Sequence, residues 1–95
     1  MRLEFSARAE RDIVELYLHG VASYGFRFTY EYTRQLKQRI GQLADMPFLG
    51  APRDDVRPGI RLLIFKAHNI PYRVSEEAVL IVRVLHGRAN WIDLL

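Results

Sequence analysis

A chain of 95 residues, 49% hydrophobic and 26% charged, has material for one hydrophobic core over residues 1–95 and none for a second domain. Without cysteine it has no disulfide framework and no thiolate zinc site, and His19, His68 and His86 are scattered, so neither a metal nor a cofactor is expected. Of the 14 basic residues behind the formal charge of +3, 12 are arginine, the side chain that forks onto carboxylates, phosphates and aromatic faces. That composition suggests an anionic partner, although ordinary surface pairs account for it equally well. No apolar run approaches the roughly 18 residues of a membrane span, and no cleavable signal precedes the first charge. A cytoplasmic protein with no membrane partner is expected.

Met1-Arg2-Leu3-Glu4-Phe5 alternates apolar and polar at the period of a strand, and Ser6 stands where a helix needs its N-cap. From Ala9 the apolar or small positions Ile13, Leu16, Tyr17, Gly20, Val21 and Tyr24 recur every three or four residues, one face of a helix that Gly25 is placed to end. Phe28, Tyr32, Leu36, Ile40 and Leu43 repeat the pattern, predicting a second helix from about Arg27 to Asp45 and hence an antiparallel helical hairpin. Met46 to Pro52 breaks the helical period with two prolines and a glycine. It reads as a loop whose apolar residues anchor beneath the hairpin.

Beyond Arg57-Pro58-Gly59 the period becomes that of strands: Ile60 to Phe65, Ile70 to Val74 and Val79 to Leu85, with short connections that favour an antiparallel meander. In the last strand Leu80, Val82, Val84 and His86 share one face and Val79, Ile81, Arg83 and Leu85 the other. Pro71 is awkward in a middle strand, so either that strand starts late or its pairing is interrupted there. The order β-α-α-β-β-β predicts a two-layer α+β fold, with the hairpin packed on a mainly antiparallel sheet of three or four strands. Its expected core contains Ile13, Leu16, Leu36, Ile40, Leu62, Ile64, Val82 and Val84.

Four segments in order resemble the ParE/RelE toxin superfamily: Phe5 to Asp12 at the strand-to-helix junction, Phe48 to Arg61, Tyr72-Arg73-Val74, and Val82-Arg83-Val84-Leu85-His86-Gly87-Arg88. The resemblance covers nearly the whole chain. It implies the toxin half of a type II toxin–antitoxin pair, of the kind that serves plasmid maintenance, neutralised by a cognate ParD-like antitoxin. Two activities share the scaffold, so the choice between them rests on the site. The RelE-like branch cuts messenger RNA on the ribosome and needs a base, a proton donor and cations around the phosphate. Here Arg61 is the one basic residue of its strand, Asn69 stands where a catalytic arginine is expected, and no tyrosine follows His86. Arg61, His86 and Arg88 remain as the candidate set for that alternative, and direct nucleic-acid binding is expected only under it.

The chain resembles the ParE-like branch more closely, which implies a poison of DNA gyrase with no catalytic residues of its own. For target binding the candidates are Arg83, His86, Arg88 and Trp91. Each has a structural reading beside the functional one: His86 as the polar end of a core strand, Arg83 as a buttress, Trp91 folded back on the sheet. For antitoxin binding the candidates are Tyr17, Val21, Tyr24 and Phe28, which crowd the tip of the hairpin.

Overall fold

Ser6 joins two elements of the computed structural model, which describes residues 1–95. It ends the strand β1 (Arg2–Phe5) and caps the helix α1 (Ala7–Tyr24), its Oγ accepting the Ala9 amide at 2.9 Å. Gly25 turns the chain into α2 (Phe26–Gly41), which tightens into a 3-10 turn over Gln42–Ala44. The hairpin closes tightly because Gly20 has no side chain: a Cβ there would lie 2.7 Å from Thr29 Cγ2 and 2.8 Å from Thr29 Oγ1. That packing leaves the Thr29 hydroxyl buried without a hydrogen-bond partner. Neither helix is long and apolar enough to cross a membrane.

The strands that follow are β2 (Ala51–Pro52), β3 (Ile60–Phe65), β4 (His68–Val74), β5 (Ala78–Ile81) and β6 (Leu85–His86). Their order is β1-β5-β4-β3-β2, with β6 paired to the first residues of β4. All pairings are antiparallel except β1 with β5. The sheet is therefore larger than the expected three or four strands and is not a pure meander. Two features were not legible: the parallel β1, which returns beside β5 only after the whole hairpin, and the two-residue β2.

The expected last strand is two strands with a bulge between them. Tyr72 pairs with Ile81 and Asn69 with Leu85, so Val82, Arg83 and Val84 stand opposite only Ile70 and Pro71. The amides of Val82 and Arg83 both donate to the Pro71 carbonyl, at 2.9 and 3.4 Å. This is how the sheet accommodates Pro71: its backbone faces the bulge, where a missing N–H deprives no partner. The extra residue also exchanges the faces. Val79 and Ile81 point to the helices before it, and Val84 after it. Val82, expected in the core, is consequently half-buried on the other side of the sheet.

The main core lies between hairpin and sheet. Ala9, Leu36, Ile40 and Leu43 meet Leu63, Ile70, Tyr72, Val79, Ile81 and Val84, with Ile13 and Leu16 partly buried against them. Leu62 belongs to a second cluster with Leu85 and Trp91 on the opposite sheet face. Ile64 shares that face beyond the cover of the tail and is 61% exposed, so its expected core place is wrong. The Met46–Leu49 segment does not anchor beneath the hairpin either: Met46, Phe48 and Leu49 are all exposed.

Candidate functional site

The β4–β6 pairing sets His68 directly opposite His86, and both rings rise on the helix side of the sheet. Their centroids are 5.5 Å apart at a steep angle. The Tyr32 hydroxyl, one helical face away on α2, lies 2.7 Å from His68 Nδ1. Burial, with the neighbouring His86 second, holds the His68 pKa below its ordinary 6.5, so a neutral imidazole is favoured at pH 7. Burial likewise raises the Tyr32 hydroxyl, offset in part by the Ala67 amide. The three side chains close one end of a cleft of about 600 Å³ between the hairpin and the sheet, with Tyr24 and Phe28 at its mouth. His68 and Tyr32 were not singled out by sequence reasoning. The signal was the register that places residue 68 opposite 86, which needs the bulge to be known first.

Arg83 turns inward. Its Nε and Nη2 donate to the Asp12 carboxylate at 2.8 and 3.0 Å, and Nη1 donates to the Leu94 carbonyl at 2.7 Å. The same carboxylate accepts the Val84 amide at 2.9 Å. Asp12, through that hydrogen bond first, raises the Arg83 pKa above its usual value. Of its two sequence readings, the geometry matches the buttress. Trp91 also turns inward: it is 8% exposed against Leu62 and Leu85, with the Arg53 guanidinium 5.2 Å from its ring centroid. The tail folds back on the sheet.

His86 and Arg88 remain exposed. The Arg88 backbone amide donates to His86 Nδ1 at 3.1 Å, which leaves Nε2 as the outward nitrogen. Arg61 is elsewhere. It sits four residues before the Phe65–His68 rung, roughly 13 Å along β3. Its guanidinium donates to the carbonyls of Gly50 and Phe48 at 2.9 and 3.1 Å. Arg61, His86 and Arg88 are thus not gathered round one point. No group of three or more His, Asp or Glu side chains is disposed to hold a metal ion.

The hairpin-tip residues divide between two faces. Tyr24 and Phe28 pack together at 5.6 Å, are 69% and 58% exposed, and continue through Tyr32 toward the histidines. Tyr17 and Val21 are half-buried, and Tyr17 meets Phe26 edge-on at 6.4 Å, with Phe26 stacked on Tyr30. Sequence periodicity places all four at the tip but does not separate these faces.

A two-helix hairpin on a mixed sheet has counterparts among known proteins. Residues 3–91 match the family model described as ParE toxin of type II toxin-antitoxin system, parDE. Toxin ParE1 of Caulobacter vibrioides is 32% identical over 85 residues, covering 90% of this chain and 88% of that protein. Toxin ParE1 of Mycobacterium tuberculosis is 33% identical over 90 residues, covering 94% and 92% respectively. The solved structure described as the chromosomal ParDE TA system from P. aeruginosa superposes with a TM-score of 0.80 at 24% identity, covering 90% of this chain and 95% of that one, which establishes the shared fold. The chain belongs to the ParE toxin family of type II toxin–antitoxin systems.

Proposed function

We propose that this toxin acts by binding a type II topoisomerase, DNA gyrase, and that a cognate ParD-like antitoxin neutralises it by docking on the Tyr24–Phe28 side of the helical hairpin. The observation that carries the gyrase reading is the dispersal of Arg61, His86 and Arg88: with Arg61 tied to loop carbonyls at the far end of β3, no cation set surrounds a phosphate at His86. A toxin whose basic side chains do not converge on one point acts through a surface. His86 and Arg88 supply an exposed one at the C-terminal turn, with a positive charge at Arg88. Tyr24 and Phe28, exposed on one side of the hairpin tip, suit an amphipathic helix from the antitoxin, and the name ParDE on the P. aeruginosa relative supports a partner of that kind.

Ribosome-dependent messenger cleavage has one observation on its side, the facing pair of imidazoles at His68 and His86. Purified toxin assayed in parallel for loss of gyrase supercoiling and for cleavage of ribosome-bound messenger separates the two. Inhibited supercoiling with intact messenger is expected. Codon-positioned cleavage with unaffected gyrase would overturn the proposal.

A further inference from the structure

Phe48 is 66% exposed, yet the turn that carries it is held by four hydrogen bonds. The Gly50 amide donates to the buried Tyr72 hydroxyl at 2.8 Å, and that hydroxyl donates to the Pro47 carbonyl at 2.8 Å. Arg61 donates to the Gly50 and Phe48 carbonyls. Gly50 itself lies so close to β3 that a Cβ would come within 2.6 Å of the Leu62 carbonyl oxygen. A core tyrosine hydroxyl and a strand arginine are therefore committed to fixing a backbone whose side chains point into water. Such rigidity lowers the entropic cost of association, and aromatic anchors dominate the energetics of protein interfaces.

The charge beside the ring indicates what it meets. The Arg61 guanidinium lies 5.2 Å from the Phe48 centroid and has no carboxylate partner. Asp45 is the one carboxylate on the turn and its approach. The element stands beyond the C-terminal end of α2, a helix of 16 residues and so about 24 Å long, whereas the Tyr24–Phe28 face stands at its start.

We propose that the Met46–Gly50 turn docks on the protein that the toxin acts on, with Phe48 entering an apolar socket whose rim carries a carboxylate that pairs with the cation of Arg61. The inference rests on the toxin class and holds whichever target that protein is.

The test compares wild type, Phe48→Ala and Phe48→Tyr for growth arrest on induction without antitoxin, and for antitoxin affinity, melting temperature and sedimentation as purified proteins. Phe48→Ala is expected to weaken toxicity about 30-fold or more, the loss of a hot-spot aromatic, and Phe48→Tyr to restore it. Its antitoxin affinity should stay within about twofold and its melting temperature within about 4 °C, as for an exposed side chain. Undiminished toxicity would overturn the inference. So would a parallel loss of antitoxin affinity, which assigns the ring to the antitoxin, or conversion of a dimer to a monomer with toxicity unchanged, which assigns it to a second copy. A large fall in melting temperature would contradict the exposure on which the inference stands.

Discussion

Asp12 and Arg83, 71 residues apart in sequence, form a two-pronged ion pair at 2.8 and 3.0 Å that joins α1 to the sheet bulge and, through the Leu94 carbonyl, to the tail. Both side chains are about nine-tenths buried. Replacing Asp12 with alanine strands a guanidinium and also orphans the Val84 amide, so a loss of about 3–5 kcal/mol is expected in urea unfolding. Arg83→Ala should in addition loosen the tail, read as a red-shifted, more quenchable Trp91 emission. An unchanged indole spectrum would show that the tail holds without its arginine.

Gly20→Ala tests the contact between the two helices. The added methyl gains about 1 kcal/mol of helix propensity but meets Thr29 at 2.7 Å. Overpacking of this kind costs about 1–3 kcal/mol, so net destabilisation is expected. Adding Thr29→Ala should recover most of it by removing the obstructing atoms and a hydroxyl that had no partner. Equal effects of Gly20→Ala in the two backgrounds would mean that the strain lies elsewhere.

His68 gives a pH dependence of definite sign. Its folded pKa is depressed below the ordinary 6.5, so the unfolded chain takes up a proton before the folded one does. Stability from this residue is complete above pH 6.5 and declines as the pH falls below it toward the folded pKa. Glu31, whose folded pKa Arg34 holds down at about 2, loses its own contribution only below its ordinary 4.5, in a separate window. Between pH 7 and 5, melting temperature should therefore fall for wild type and stay flatter for His68→Gln. Parallel slopes would remove His68 as the cause.

His86→Gln separates the two toxin mechanisms. For a gyrase poison it should alter toxicity no more than one lost contact does, whereas for a ribonuclease it should slow messenger cleavage about 10²–10⁴-fold with ribosome binding retained. Arg88→Ala is the matching surface probe, expected to weaken gyrase inhibition without changing stability. Trp91 cannot serve in the same experiment, because truncating an indole buried against Leu62 and Leu85 disturbs the fold first.

Tyr24→Ala with Phe28→Ala should reduce antitoxin affinity while leaving the melting temperature nearly unchanged, since both rings are mostly exposed. Retained affinity, measured by calorimetry, would move the docking face to the Tyr17–Phe26 side.

What could be read in advance follows from the range of the forces involved. The Ser6 cap, both helices and the bounds of β3 are set by neighbours within a few residues, and they appear where sequence places them. The pairing of β1 with β5 and the split at Val82–Val84 depend on which strand lies alongside, and no local pattern encodes that. Phe48 went astray for the converse reason. Its hydrophobicity predicts burial, but the hydroxyl of Tyr72 and the guanidinium of Arg61 bind its backbone and leave the ring outside. For the site, His86 and Arg88 could be named from their segment, whereas His68 and Tyr32 join it only through register.

The bulge opposite Pro71 makes this strand unusually tolerant of one kind of change in chain length. Because three residues there span the place of two, deleting Val82 alone would leave the Tyr72–Ile81 and Asn69–Leu85 rungs in register and would keep His86 on the side of His68. A single-residue deletion anywhere between Ala78 and Ile81 has no such slack and would drag core residues to the solvent side. Among related chains, gaps of one residue should therefore collect at this point of the sheet, inside a strand, where length variation is ordinarily confined to loops.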